Sequence, residues 1–109
     1  LGLTHTVTLE YARYGVTCNA ILPGVIQTEN VKAMPKGIRE SVEAMVPARR
    51  MGEVEEVAHL VAFLASEDAA YISGAEIDID GGTRLNSLTL GSQSELRERA
   101  EAMARAFEE

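Results

Sequence analysis

The chain has 109 residues, 46% of them apolar, which suits one small globular domain and excludes disorder throughout. A net charge of −7 and an isoelectric point near 4.8 argue against a nucleic-acid groove or an anionic membrane surface, both of which attract through clustered Lys and Arg. The single Cys18 allows no internal disulfide, two distant histidines offer no metal cluster of usual spacing, and no long apolar run suits a membrane span.

Leu3, Val7, Tyr11 and Tyr14 keep helical spacing from the first residues. A helix to about Tyr14 is expected, with Glu10 and Arg13 pairing on its solvent side and Gly15 ending it. Opening at Leu1 inside such an element reads as a cut from a longer chain. Val16 to Leu22 is β-branched and apolar, the character of a buried strand, and Pro23-Gly24 stops it because proline brings no ladder donor. From Val25 to Gly37 no period persists, and Thr28, Glu29, Asn30, Pro35 and Gly37 predict an extended, mobile loop suited to a lid. Ile38, Val42 and Met45, at i, i+4 and i+7, predict a short helix ended by Pro47, after which Arg49 and Arg50 enter a turn.

The clearest helix follows Gly52, with Glu53, Glu55 and Glu56 in its first turn opposing the positive end of the backbone dipole. Its apolar stripe of Val54, Val57, Ala58, Val61, Leu64 and Ala65 is expected to cover a sheet. Ala75 to Asp80 alternates with period two, as a strand with one dry face does. Two strands joined through helices make a parallel β-α-β unit, yet a lone pair buries too little surface to offset its chain entropy. More sheet, from the same polypeptide or a partner, is therefore expected. At the end of the chain Ser92 and Glu95 match a capping box, and Leu96, Ala100, Met103, Ala104 and Phe107 line one face of a helix. Glu95–Arg99 and Glu101–Arg105 pairs would add ~0.2–0.5 kcal/mol each. The division expected is 1–91 as one α/β unit and 92–109 as an amphipathic helical extension.

Three ordered stretches carry a resemblance. Val16 through Thr28 resembles the sixth strand and following turn of the short-chain dehydrogenase/reductase family; Ala48 through Ala58 resembles the entry to its last large helix; Tyr71-Ile72-Ser73-Gly74 through Asp80-Gly81-Gly82 resembles its closing strand. The resemblance implies the C-terminal part of a doubly wound, Rossmann-like parallel sheet in a cytoplasmic, homotetrameric or dimeric oxidoreductase. Such an enzyme uses NAD or NADP to move a hydride to or from a carbonyl or secondary alcohol carbon. Carried onto this chain, the Pro23-Gly24-Val25-Ile26 turn borders the nicotinamide, with backbone near Ile26 meeting its carboxamide, and the Thr28 hydroxyl bonds carboxamide or phosphate. Residues 29–46 correspond to the substrate-covering segment, with Met34, Val42 and Met45 as pocket walls.

The departures concern catalysis. The family's catalytic tyrosine stands four residues before a lysine whose charge lowers the phenol's pKa, yet Tyr11, Tyr14 and Tyr71 are followed at that spacing by Gly15, Cys18 and Ala75. No G-x-G-x-x-G can be written with these nine glycines. No catalytic or metal-binding residue is therefore assigned, and the chain alone is expected to be inactive. Competing readings are structural: a plain strand-ending turn for Pro23-Gly24 with Thr28, a turn for Asp80-Gly81-Gly82, an ion-pairing or capping role for Arg50, a small buried hydrophobe for Cys18, and a solvated face for Asp78 and Asp80. The alternative function is a non-catalytic assembly or interaction module built on the two terminal helices.

Overall fold

The computed structural model describes residues 1–86 and 93–108, the side chains of 93–96 apart. Helix α1 (Gly2–Tyr11) runs into a 3-10 turn at Ala12–Tyr14, and Gly15 ends it in the left-handed region at φ 79°. The expected Glu10–Arg13 pair does not form; Arg13 lies over the Tyr14 ring, 4.9 Å from its centroid. Exposed ion pairs repay little of the side-chain entropy they cost. Strand β1 (Ala20–Pro23) is shorter than the apolar run predicts, and its residues are half-buried or exposed, not buried.

Side chains compete with the ladder ahead of β1. The Cys18 N–H donates to Ser73 Oγ (3.1 Å), Ser73 Oγ donates to Thr8 Oγ1 (3.3 Å), and Thr8 Oγ1 donates to the Cys18 carbonyl (3.2 Å). Asn19 completes the seam, its amide donating to the Ile72 carbonyl (3.1 Å) and its oxygen accepting from the Ala75 N–H (3.0 Å). Three polar residues that hydropathy alone would pass over thus fasten α1 and both strand entries to one another.

The segment after β1 is not a continuous loop. Ile26 bridges to Gly52, and Thr28 caps a one-turn helix α2 (Glu29–Lys32), its hydroxyl accepting from the Val31 N–H (3.4 Å). Thr28 in extended backbone with its oxygen turned to a following N–H is N-cap chemistry, and it outweighs the absence of a hydrophobic period. Helix α3 (Lys36–Met45) stops ahead of Pro47 as expected, and the Arg49 guanidinium and Asn86 amide donate to the Ala44 and Met45 carbonyls at its end.

Helix α4 (Val54–Leu64) begins one residue later than its acidic cluster suggests. Glu53 is the N-cap, forming a reciprocal capping box with Glu56. Its apolar stripe is not covered by sheet among the described residues: Val54 and Val61 stay 45% and 49% exposed, as does the neighbouring Phe63 at 45%. Strand β2 (Glu76–Ile79) alternates as predicted, with Ile77 and Ile79 half-buried and Glu76 and Asp78 exposed. It pairs in parallel with β1, Ala20 opposite Glu76 and Pro23 opposite Ile79.

Beyond β2 lie the short α5 (Thr83–Asn86) and α6 (Gln93–Glu108). The capping box predicted at Ser92 and Glu95, the Glu95–Arg99 pair and the Leu96 position fall outside the described residues. Glu101 and Arg105 are described and do not pair. Helix α6 packs on α3, and the residue it buries is Ala106; Phe107, expected on the inner stripe, is 72% exposed.

The architecture is that of a partial Rossmann-like α/β fold, with a parallel two-stranded sheet and flanking helices. Among the described residues the buried apolar ones are Val46, Met51, Ala69 and Ala106, none of them in a strand. The radius of gyration is 17.8 Å, against about 13 Å for a compact chain of this length. The described strands are therefore a pair without a closed core around them. No helix among the described residues is long and apolar enough to cross a membrane.

Candidate functional site

The carboxyl ends of parallel strands, where ligands bind in open α/β sheets, are here the Pro23–Gly24 and Ile79–Asp80 turns. Gly24 is held by its N–H, which donates to the Ile79 carbonyl (3.1 Å). A Cβ on Gly24 would stand 2.7 Å from Asp80 Cβ, so the glycine permits the close approach of the chain's own second turn. Asp80 in turn orders the residues after it. Its Oδ1 accepts from the Gly82 N–H and its Oδ2 from the Arg84 N–H, both at 2.9 Å. Asp78 pairs with the Arg84 guanidinium at 2.8 Å, so both aspartates engage Arg84, one through its side chain and the other through its backbone N–H.

A second layer closes against these turns. Gly52 donates to the Val25 carbonyl (3.0 Å) and its own carbonyl accepts from the Gln27 N–H (2.8 Å), which fixes the Val25–Gln27 stretch beside the entry to α4. Arg50 makes a two-pronged bond to Glu56 at 2.6 and 3.0 Å, and Glu56 also accepts from the Glu53 N–H (3.0 Å). Those bonds, Arg50 first, hold the Glu56 carboxyl down at about 2, below its ordinary 4.5. Arg50 is raised above its ordinary value by the same bond. Both side chains are therefore committed to each other as a charged pair.

Between these layers lies a cavity of about 50 Å³ whose lining includes Val25, Ile26, Arg50, Gly52, Glu56 and Asp80. Sites for small molecules and cofactors run to roughly 300–1,000 Å³, so the described residues form one wall and not a pocket. The wall has one feature that suits a carboxamide. The Ile26 N–H has no hydrogen-bond partner among the described residues, while its carbonyl is engaged by the Thr28 N–H (2.8 Å).

Of the residues proposed from sequence, Val25 and Ile26 line this cavity and Pro23 and Gly24 lead into it. Thr28 stands outside the lining, its hydroxyl oxygen occupied in capping α2 and its proton free to donate. Met34, Val42 and Met45 do not reach the cavity; Met45 lies beside Arg99, Ala100 and Met103 of α6. Arg50, expected from sequence as an ion-pairing or capping residue, makes that pair with Glu56, and both line the cavity; the Glu53-x-x-Glu56 capping box that places Glu56 here was also readable from its spacing. No tyrosine or lysine lines the cavity, and Tyr71 is fully exposed.

Residues 1–84 match the family model described as enoyl-(acyl carrier protein) reductase. The chain belongs to the short-chain dehydrogenase/reductase family. It is similar to the (3R)-3-hydroxyacyl-CoA dehydrogenase of Mus musculus, with 48% identity over 82 residues, 75% of this chain and 32% of that protein. The acetoacetyl-CoA reductase of Rhizobium meliloti is 49% identical over 83 residues, 75% of this chain and 34% of that protein. The 3-oxoacyl-(acyl-carrier-protein) reductase MabA of Mycobacterium tuberculosis is 43% identical over 82 residues, 75% of this chain and 33% of that protein. The chain thus spans about a third of the length of these relatives. The family match ends at residue 84, before α6 begins.

Proposed function

We propose that these residues are the C-terminal portion of an NAD(P)-dependent oxidoreductase of a 3-oxoacyl or 3-hydroxyacyl thioester, contributing one wall of its cofactor site. The observation that carries this is the family match over 1–84, which includes both strand-end turns. The substrate class rests on relatives named for acyl-CoA and acyl-carrier-protein substrates. In this reading the Ile26 N–H donates to the nicotinamide carboxamide, the Thr28 hydroxyl donates to carboxamide or phosphate, and the cofactor supplies the hydride when bound. Pro23, Gly24 and Val25 shape that wall, and Met34 and Val42 border the substrate.

Proton transfer to the substrate oxygen falls to a tyrosine and lysine outside these residues, since none here has the spacing. The polypeptide carrying them is cytoplasmic and a homodimer or homotetramer. The test is reduction of acetoacetyl-CoA, monitored by loss of nicotinamide absorbance, with the 109-residue chain and the longer polypeptide assayed side by side. Turnover by the longer one alone is expected. Turnover by the 109 residues alone would overturn the division of labour, and none by either would overturn the activity.

A further inference from the structure

Helix α6 has no counterpart in the family match, yet it is laid along α3, which belongs to the segment assigned to covering the substrate. The contact has a direction. Gly37 and Ser41 of α3 border the same surface cleft as Ala102 and Ala106 of α6, while Met45 at the other end of α3 borders another with Arg99 and Met103. The helices therefore run antiparallel, with Gly37, Ser41, Ala102 and Ala106 among the residues at one end and Met45 and Met103 among those at the other. Small residues allow close backbone approach, and Ala106 is buried to 5% exposure.

The carbonyl end of α3 is tied separately. Arg49 donates to the Ala44 carbonyl and Asn86, on α5, donates to the Met45 carbonyl, satisfying two of the acceptors that a helix end leaves open. A ten-residue helix is marginal by itself and takes its order from its packing partners. For α3 those supports include α6 along its flank and α5 at its end, both at or beyond the edge of the family match.

We propose that α6 is a clamp on the substrate cover: by seating Ala102 and Ala106 against Gly37 and Ser41 it fixes α3 and so limits the length of acyl chain admitted. Ala106 is then a positioning residue, acting through α3. The selectivity half rests on the proposed thioester activity, but the clamp does not.

The test introduces Ala106→Glu into the longer polypeptide, with Ala106→Ser as the rescuing variant and Phe107→Ala as an exposed control on the same helix. Hydrogen exchange of residues 36–45 is expected to speed up about tenfold or more in Ala106→Glu and to stay unchanged in the other two. The KM for 3-oxododecanoyl-CoA is expected to fall about fivefold relative to that for acetoacetyl-CoA, with kcat within about twofold. Unchanged exchange over 36–45 overturns the clamp; faster exchange with an unchanged KM ratio overturns the selectivity. If Ala106→Glu does not fold, a variant ending at Asn86 takes its place under the same outcomes. Absence of turnover in the unaltered protein defeats the thioester reading, and with it the selectivity, while exchange still decides the clamp.

Discussion

Gly24 and Asp80 meet where β1 and β2 end, and the 2.7 Å between Asp80 Cβ and a hypothetical Cβ on Gly24 leaves no room for a methyl. Gly24→Ala is therefore expected to destabilise the longer polypeptide by about 1–3 kcal/mol, as overpacking does, measured by urea unfolding. A loss below about 0.5 kcal/mol would mean that the two turns can part freely. From sequence, Gly24 reads as a residue that lets backbone approach a ligand. The residue it approaches is Asp80, 56 positions later, and no local pattern announces a neighbour so distant. Asn19, Ser73 and Thr8 carry no sequence signal for the same reason, since their hydrogen bonds join segments more than fifty residues apart or helix to strand entry.

At the scale of elements, α4 shows how a local rule and its placement separate. The acidic cluster predicts the helix start to within one residue, and the structure assigns its members different tasks: Glu53 caps, while Glu56 closes the capping box and takes Arg50. Because the folded carboxyl titrates at about 2 against an ordinary 4.5, this pair contributes stability fully above about pH 4.5. That contribution is lost as pH falls through about 2. Glu56→Gln should lower the thermal midpoint of the longer polypeptide at neutral pH and flatten its decline between pH 4.5 and 2. Parallel acid profiles for the two proteins, offset by a constant, would show that the pair does not couple to folding. The short β1 teaches the complementary lesson. Val16 to Cys18 has strand propensity, but the Cys18 N–H donates to the Ser73 hydroxyl and its carbonyl accepts from the Thr8 hydroxyl and the Gly74 N–H, so β1 begins only beyond it.

For the molecule as a whole, the parallel pair, the large amphipathic helix and the turns that end both strands were legible in the sequence, because period-two and period-3.6 patterns and turn residues are local. The exposed flank of α4 and the radius of 17.8 Å lead to one further expectation. The 109-residue chain by itself should bind a hydrophobic dye and self-associate, measured by fluorescence and light scattering; a cooperative, dye-silent monomer would show that its apolar surface closes without a partner. Sequence by itself determined the family, the order of the two strands and the longer helices, and the absence of a Tyr-x-x-x-Lys pair, all of which depend on residue type and spacing. Only the tertiary structure decided that Gly24 serves Asp80, that Met45 faces α6 and not the strand ends, and that Ala106 is the buried contact of the last helix. Each of these is a meeting of residues distant along the chain, set by how helices and turns pack against one another.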